Sequence, residues 1–129
     1  MTDIPYDDRG FTLGHGLFET VLWAGGQLAH WDAHVERLER GCRALGLPAP
    51  DRAECRSAAV AAIAKAGTPA RAAVRLSWSA GSGGRGLDMP DPLIPRLSVI
   101  ATAIGATPGP VTLATARVRR TVVPRRLLR

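Results

Sequence analysis

Residues 17–30 read LFETVLWAGGQLAH, an apolar run followed by two glycines and a shorter run. The first run is rich in residues that favour β-strands, and paired glycines suit a two-residue hairpin turn because they accept positive φ angles. The sequence therefore predicts a hairpin with strands over 17–24 and 27–30. Side chains alternate across a strand, so Phe18 and Glu19 are expected to point to opposite faces.

Two helices are predicted after this hairpin. Between residues 32 and 45, apolar side chains recur at steps of three or four, at Val35, Leu38, Cys42 and Leu45. Gly46 ends this pattern, as glycine commonly does at a helix C-terminus. Asp51 suits an N-cap, with Glu54 three residues later, and the second helix is predicted to end near residue 66.

Three runs of alternating apolar and polar residues follow, over 74–79, 97–102 and 111–118, and we predict strands there. The order of these elements predicts an α+β fold, a mostly antiparallel sheet with two helices packed on it. A loop rich in glycine and proline, residues 81–95, separates the first two runs and is long enough to suggest a function.

The loop contains the pattern G-x-G-x-x-G at Gly81, Gly83 and Gly86. A dinucleotide site of that kind requires a helix directly after the glycines, so that its N-terminus meets the pyrophosphate. The next residues include Pro90 and Pro92, which oppose a regular helix. The pattern is therefore not interpreted as a nucleotide site.

The chain has 129 residues, 46% of them hydrophobic, and a mean hydropathy of +0.02, which predicts one folded, soluble domain. No run approaches the roughly 18 apolar residues of a membrane span, and the first residues do not resemble a signal peptide. Cys42 and Cys55 are predicted to be buried thiols rather than a disulfide or metal site. We therefore expect a cytoplasmic protein.

The formal net charge is +6, and six arginines crowd into residues 117–129. We predict a domain over 1–118 followed by a basic tail over 119–129. Such a tail can bind nucleic acid, but no aromatic side chain accompanies the arginines to stack on bases, so that partner is not expected. The three histidines lack metal-ligand spacing with Asp, Glu or Cys, and no metal site is predicted.

Three motifs together carry a family resemblance: DRGFTLGHGLFET at 8–20, HVERL at 34–38 and GSGGRG at 81–86. They resemble the class IV (fold type IV) aminotransferases, which use pyridoxal 5'-phosphate, and GSGGRG is most similar to the aminodeoxychorismate lyases. The resemblance extends over roughly residues 6–120 and corresponds to the first of that family's two domains. It implies the N-terminal domain fold of these enzymes, a small-molecule substrate and a homodimer for the complete enzyme.

The resemblance also implies roles for individual side chains. Arg37 corresponds to the arginine that binds the cofactor phosphate, a contact suited to a guanidinium fork. Phe18 corresponds to an aromatic residue near the substrate, with core packing as the alternative. In the family, the loop that corresponds to the one with Arg85 overhangs the active site, which implies that Arg85 binds a substrate carboxylate. His34 is expected to position the helix, and Glu19 to form structural hydrogen bonds.

Enzymes of this family hold their cofactor as a Schiff base to a lysine. The single lysine of this chain, Lys65, falls inside the second predicted helix, whereas the family's lysine follows the strand that corresponds to 111–118. We therefore expect no catalytic residue here and interpret the chain as an N-terminal domain truncated before the catalytic domain, inactive alone. A further departure from the lyases is Ala80, where they have an arginine.

By resemblance, the complete enzyme converts 4-amino-4-deoxychorismate to 4-aminobenzoate and pyruvate, a step of folate biosynthesis. A branched-chain or D-amino-acid aminotransferase is the closest alternative. Two further alternatives stay open, a non-catalytic basic module that binds nucleic acid through the arginines of residues 117–129, and a relic fragment without a function of its own.

Overall fold

A four-stranded antiparallel sheet with two helices on one face is the frame of the protein, whose computed structural model describes residues 3–119. The strands are β1 (Gly16–Ala24), β2 (Gln27–Leu28), β3 (Arg71–Ser79) and β4 (Arg96–Ala103), in the order β2-β1-β3-β4. The helices are α1 (Arg9–Leu13), α2 (Trp31–Leu45) and α3 (Arg52–Lys65). The predicted α+β class, a mostly antiparallel sheet with two helices packed on it, is confirmed.

The predicted hairpin is formed by β1 and β2. Gly25 and Gly26 make the turn with φ angles of 59° and 74°, which an L side chain would rarely adopt. The return strand is shorter than the predicted 27–30. His30 has a φ of 52° and caps α2, so the chain leaves the sheet directly after Leu28.

The two long helices begin and end close to the predicted residues. The carboxylate of Asp51 accepts a hydrogen bond from the backbone N–H of Glu54 at 2.8 Å, so the predicted N-cap of α3 is confirmed. α2 ends at Gly46, which has a φ of 69°. Within residues 3–119, no helix is long and apolar enough to cross a membrane.

The core lies between the helices and the sheet face that carries the odd-numbered side chains of β1. It consists of buried apolar residues from both layers, among them Val21, Val35, Ile63, Val74 and Leu76. Cys42 and Cys55 are buried, free thiols, as predicted. Burial raises the pKa of Cys55 to about 11, so this thiol stays protonated and unreactive.

Two local predictions differ from the structure. Residues 111–118 form no strand, because none of the described strands pairs with them; Val111 and Leu113 are exposed despite their alternation. The sequence does not predict the short helix α1, because its five residues are too few to show a helical period of apolar side chains. Asp8 caps this helix. The predicted tail, 119–129, lies outside the described residues apart from Arg119.

Candidate functional site

Glu19, Arg37 and His34 form a hydrogen-bonded cluster between β1 and α2. The Glu19 carboxylate is almost completely buried and accepts hydrogen bonds from Nε and Nη2 of Arg37 at 2.6 and 2.5 Å. Nδ1 of His34 lies 2.7 Å from the same carboxylate. The two helical residues are three positions apart on α2, so they share one face and meet one acceptor. The prediction that Glu19 forms structural hydrogen bonds is confirmed, and His34 ties α2 to the sheet.

Opposing effects act on the pKa of Glu19. Burial alone raises the pKa of this carboxyl, but the hydrogen bonds and charges of Arg37 and His34 outweigh burial, and the pKa lies below its ordinary value. Glu19 in turn raises the pKa of Arg37. At neutral pH, the cluster therefore holds an ionised carboxylate against an ionised guanidinium.

The guanidinium of Arg37 is only partly used by this ion pair. Its side chain remains 63% exposed, and among the described residues no hydrogen bond involves Nη1. A planar fork fixed on one side and open on the other is suited to a second oxyanion such as a phosphate. The structure thus leaves donors of Arg37 available for the cofactor phosphate that the family resemblance implies.

The sheet face opposite the helices is open. It carries the even-numbered side chains of β1 and their cross-strand partners Arg75, Ser77 and Ser98. Phe18 is 56% exposed on this face, and the guanidinium carbon of Arg75 lies 3.7 Å from the centre of its ring. An open groove of about 980 Å³ covers the face and continues around β4 to Lys65 at the end of α3. Within the described residues, Phe18 is therefore not packed in the core.

Phe18 and Arg37 lie on opposite faces of the sheet but beside the same strand edge. β2 pairs only with the last two residues of β1, so within the described residues no strand covers the edge over 16–21. Phe18 is exposed on the open face, whereas Arg37 is bonded to Glu19, the next residue of β1, on the face that packs against the helices. Adjacent positions of β1 therefore hold the two side chains on opposite faces of the sheet.

Arg85 is exposed in the irregular loop of residues 80–95, which joins β3 to β4. No helix follows the glycines of this loop, so the geometry of a dinucleotide site is not met. Arg85 does not line the groove beside Phe18. The loop is instead attached to residues 7–9 at its base, through Arg9 N–H to the Gly81 carbonyl at 2.9 Å and other bonds.

Sequence reasoning assigned no role to Asp8, which is 1% exposed. Its carboxylate accepts hydrogen bonds from Gly10 N–H and Ser79 Oγ, both at 2.8 Å, and forms an ion pair with Arg96 at 3.3 Å. Ser79 and Arg96 are far from Asp8 in sequence, and they are paired with each other at the ends of β3 and β4. This pairing places both beside Asp8, so no local sequence pattern could have revealed the contact. Asp8 thus fixes the N-terminal segment to the rim of the groove.

The family model described as amino-transferase class IV matches residues 16–128. The chain belongs to this family. The aminodeoxychorismate lyase of Vibrio harveyi is 40% identical over 86 residues, which are 67% of this chain and 31% of the lyase. A bifunctional aminodeoxychorismate lyase / D-amino acid transaminase of Mycobacterium tuberculosis is 36% identical over 80 residues, 60% of this chain and 28% of that protein. The chain thus spans less than a third of these curated relatives.

Solved structures of class IV enzymes have the same fold. The 4-amino-4-deoxychorismate lyase of Pseudomonas aeruginosa superposes with a TM-score of 0.68 and 31% identity over 79% of this chain and 36% of that one. A hypothetical aminotransferase of Mycobacterium tuberculosis, solved in a PLP-bound form, superposes with a TM-score of 0.67. It is 31% identical, and the match covers 79% of this chain and 34% of that one. The Escherichia coli branched-chain amino acid aminotransferase, at 18% identity, matches in fold alone, with a TM-score of 0.71.

The residues present fit one part of a pyridoxal phosphate site. Arg37 has a charged, half-open guanidinium of the kind that can bind a phosphate. Lys65, the single lysine of the chain, is exposed at the end of α3. In residues 3–119, no group of three or more His, Cys, Asp or Glu side chains could hold a metal ion.

Proposed function

We propose that this chain is the phosphate- and substrate-binding domain of a pyridoxal-phosphate-dependent lyase that converts 4-amino-4-deoxychorismate to 4-aminobenzoate and pyruvate. The observation that carries the proposal is the half-occupied guanidinium of Arg37, held by a buried carboxylate beside an uncovered strand edge. The identity of 40% to the Vibrio harveyi lyase supports this choice of reaction within the family.

Arg37 would hold the cofactor through its phosphate. The fixed pairing with Glu19 orients the fork before the ligand arrives, so little side-chain entropy remains to be lost on binding. The bound cofactor would supply an electron sink for cleavage of the substrate. Glu19 keeps its own charge because its pKa is low, and it limits the net positive charge of the cluster.

Phe18 and Arg85 would bind and orient the substrate. The exposed ring of Phe18 offers an apolar surface on the open face, and Arg75 above it adds positive charge that attracts an anionic substrate. Arg85 carries an exposed guanidinium that can pair with a carboxylate. Aminodeoxychorismate is a dicarboxylate, so arginines on its path match its charge.

Lys65 is not the lysine that moves protons in this reaction. It lies at the solvent-exposed end of α3, which packs mainly against β4, whereas the helix of Arg37 packs against β1, and β3 separates these two strands. We therefore expect the catalytic lysine to come from outside these 129 residues and the chain alone to show no turnover. The complete enzyme is expected to be a cytoplasmic homodimer.

A D-amino-acid aminotransferase is the second candidate, because the bifunctional relative from Mycobacterium tuberculosis has both activities in its name. A single assay separates the two. The complete enzyme is incubated with pyridoxal phosphate and 4-amino-4-deoxychorismate without an amino acceptor, and pyruvate and 4-aminobenzoate are measured. The lyase predicts equal amounts of both from the complete enzyme. Turnover only with D-alanine and 2-oxoglutarate would favour the aminotransferase.

The role of Lys65 has its own test on the 129-residue chain. The chain is mixed with pyridoxal phosphate, reduced with borohydride and mapped by mass spectrometry. We expect no stoichiometric adduct on Lys65. An adduct there together with turnover would overturn the assignment of the catalytic lysine to a position outside the chain.

A further inference from the structure

Arg9 carries a buried charge without an acidic partner. The side chain is 2% exposed, and no carboxylate of the described residues forms an ion pair with it. Buried charges are costly unless other polar groups replace the lost water. The hydrogen-bond partners of this guanidinium therefore indicate what the residue is for.

Most of these partners belong to the glycine-rich loop. Nη1 of Arg9 donates to the carbonyls of Gly84 and Gly86 at 3.5 and 3.2 Å, and Nη2 donates to the carbonyl of Leu87 at 3.2 Å. Nε lies 3.4 Å from Nδ1 of His15. Movement of the loop away from Arg9 would break these charge-assisted hydrogen bonds, so the contacts restrain the loop.

Arg85 lies between two of the restrained carbonyls, those of Gly84 and Gly86. We propose that Arg9 is a positioning residue, whose buried guanidinium fixes the backbone on both sides of Arg85 and so sets where Arg85 meets a substrate carboxylate. The base of the loop is held separately, by Ser82 Oγ donating to Asp7 at 3.0 Å. The link to substrate rests on the function proposed above for Arg85, whereas the restraint of the loop does not.

Two adjacent glycines allow a matched test of this contact. A Cβ added at Gly83 would lie 2.6 Å from Cδ of Arg9, so Gly83→Ala must displace the arginine side chain. A Cβ at Gly84 would meet nothing within 4 Å, and neither glycine has a positive φ. Gly84→Ala is therefore a control with the same chemical change. Arg9→Lys removes the fork but keeps the charge, and Arg40→Lys, on an exposed arginine of α2, is its control.

The first readout is the backbone order parameter of residues 84–89, measured by NMR relaxation on the full chain, because the Arg9 contacts restrain carbonyls of this segment. In Arg9→Lys and Gly83→Ala, the order parameters there should fall from about 0.85 to below about 0.6, while those of β1 and β3 stay unchanged. Both controls should match the wild type. Unchanged order parameters in residues 84–89, or an equal fall throughout the sheet, would overturn the proposal.

The second readout is the titration of the chain with succinate, a simple dicarboxylate, followed by the NMR signal of the Arg85 side chain. Succinate should shift this signal in the wild type and in Gly84→Ala, and clearly less in Gly83→Ala and Arg9→Lys. If both variants loosen the loop yet bind succinate normally, the positioning role is wrong. If Arg85→Gln binds succinate as well as the wild type does, measured by calorimetry, the substrate role of Arg85 fails, and the order parameters alone decide whether Arg9 restrains the loop.

Discussion

Arg37 and Glu19 are joined by a two-point ion pair that links the middle of α2 to β1. One partner is exposed and the other is almost completely buried, with side-chain exposures of 63% and 5%. The pair therefore connects a core carboxylate to a surface cation that a ligand can reach. Both partners contribute to stability, and we propose that the exposed one also binds the cofactor phosphate, so substitutions at the two positions should have different effects on ligand binding.

Substitution of Glu19 tests the stability side of this pair. Glu19→Gln keeps the shape but removes the charge, and we expect a loss of about 1–3 kcal/mol in the free energy of unfolding because charge-assisted hydrogen bonds to a buried group are lost. The folded-state pKa of Glu19 is lowered, so its contribution is present above the ordinary glutamate pKa and is lost as pH falls through the folded value. Urea unfolding at several pH values measures this contribution. The free energies of unfolding of Glu19→Gln and the wild type should converge in acid. Glu36→Gln, on an exposed residue of α2, should have little effect.

Substitution of Arg37 tests the binding side. If its guanidinium holds the cofactor phosphate, Arg37→Ala should abolish the preference for pyridoxal phosphate over pyridoxal, which lacks the phosphate. Fluorescence titration of the chain with both compounds measures that preference. Arg40→Ala removes an exposed arginine from the same helix and should leave the preference intact. Equal preference in Arg37→Ala and the wild type would contradict the assignment.

A prediction of pH dependence follows from His15. Burial and the positive charge of Arg9 lower the pKa of this imidazole, and a hydrogen bond with the backbone of Leu45 opposes them in part. Between the folded value and the ordinary value of 6.5, the unfolded state binds more protons, so stability must fall as pH decreases through that window. Protonation would also remove the acceptor for Nε of Arg9. In His15→Gln, the loss of stability as the pH falls below 6.5, measured by urea unfolding, should be smaller than in the wild type.

Short sequence patterns correctly predicted the elements that depend on residues close together in the chain. The paired glycines placed the hairpin, and Asp51 with Glu54 placed the start of α3. The resemblance supplied Arg37, but its hydrogen bonds to Glu19 join residues 18 positions apart and depend on how α2 crosses β1. The contacts of Arg9 with the loop join residues 75 to 78 positions apart. No periodicity in the sequence encodes such pairs, because the sheet register brings them together.

The same limit explains the failed strand prediction over 111–118. Val111 and Leu113 alternate with polar residues in the way that a strand requires, yet alternation describes only which face a residue would take. A strand also needs hydrogen bonds to a neighbour, and in residues 3–119 the sheet ends at β4. The alternation therefore indicates a local preference for a strand, but residues 111–118 have no strand partner among the described residues.

The buried carboxylate of Asp8 yields the last prediction. Asp8→Asn removes the charge opposite Arg96 and weakens the bonds from Gly10 and Ser79, all at the rim of the groove. Breaking a buried pair usually costs about 3–5 kcal/mol, and the partial exposure of Arg96 reduces the expected loss to about 2–3 kcal/mol. Urea unfolding measures this loss.

Asp7→Asn is the matched control for Asp8→Asn, because Asp7 is only half-buried and its side chain accepts a single bond from Ser82. A double-mutant cycle with Arg96→Met isolates the ion pair from the other hydrogen bonds of Asp8. If Asp8→Asn costs no more than Asp7→Asn, the ion pair does not stabilise the rim. If the coupling in the cycle is large, the N-terminal segment is anchored to β4 through this charge, and the base of the loop that carries Arg85 depends on it.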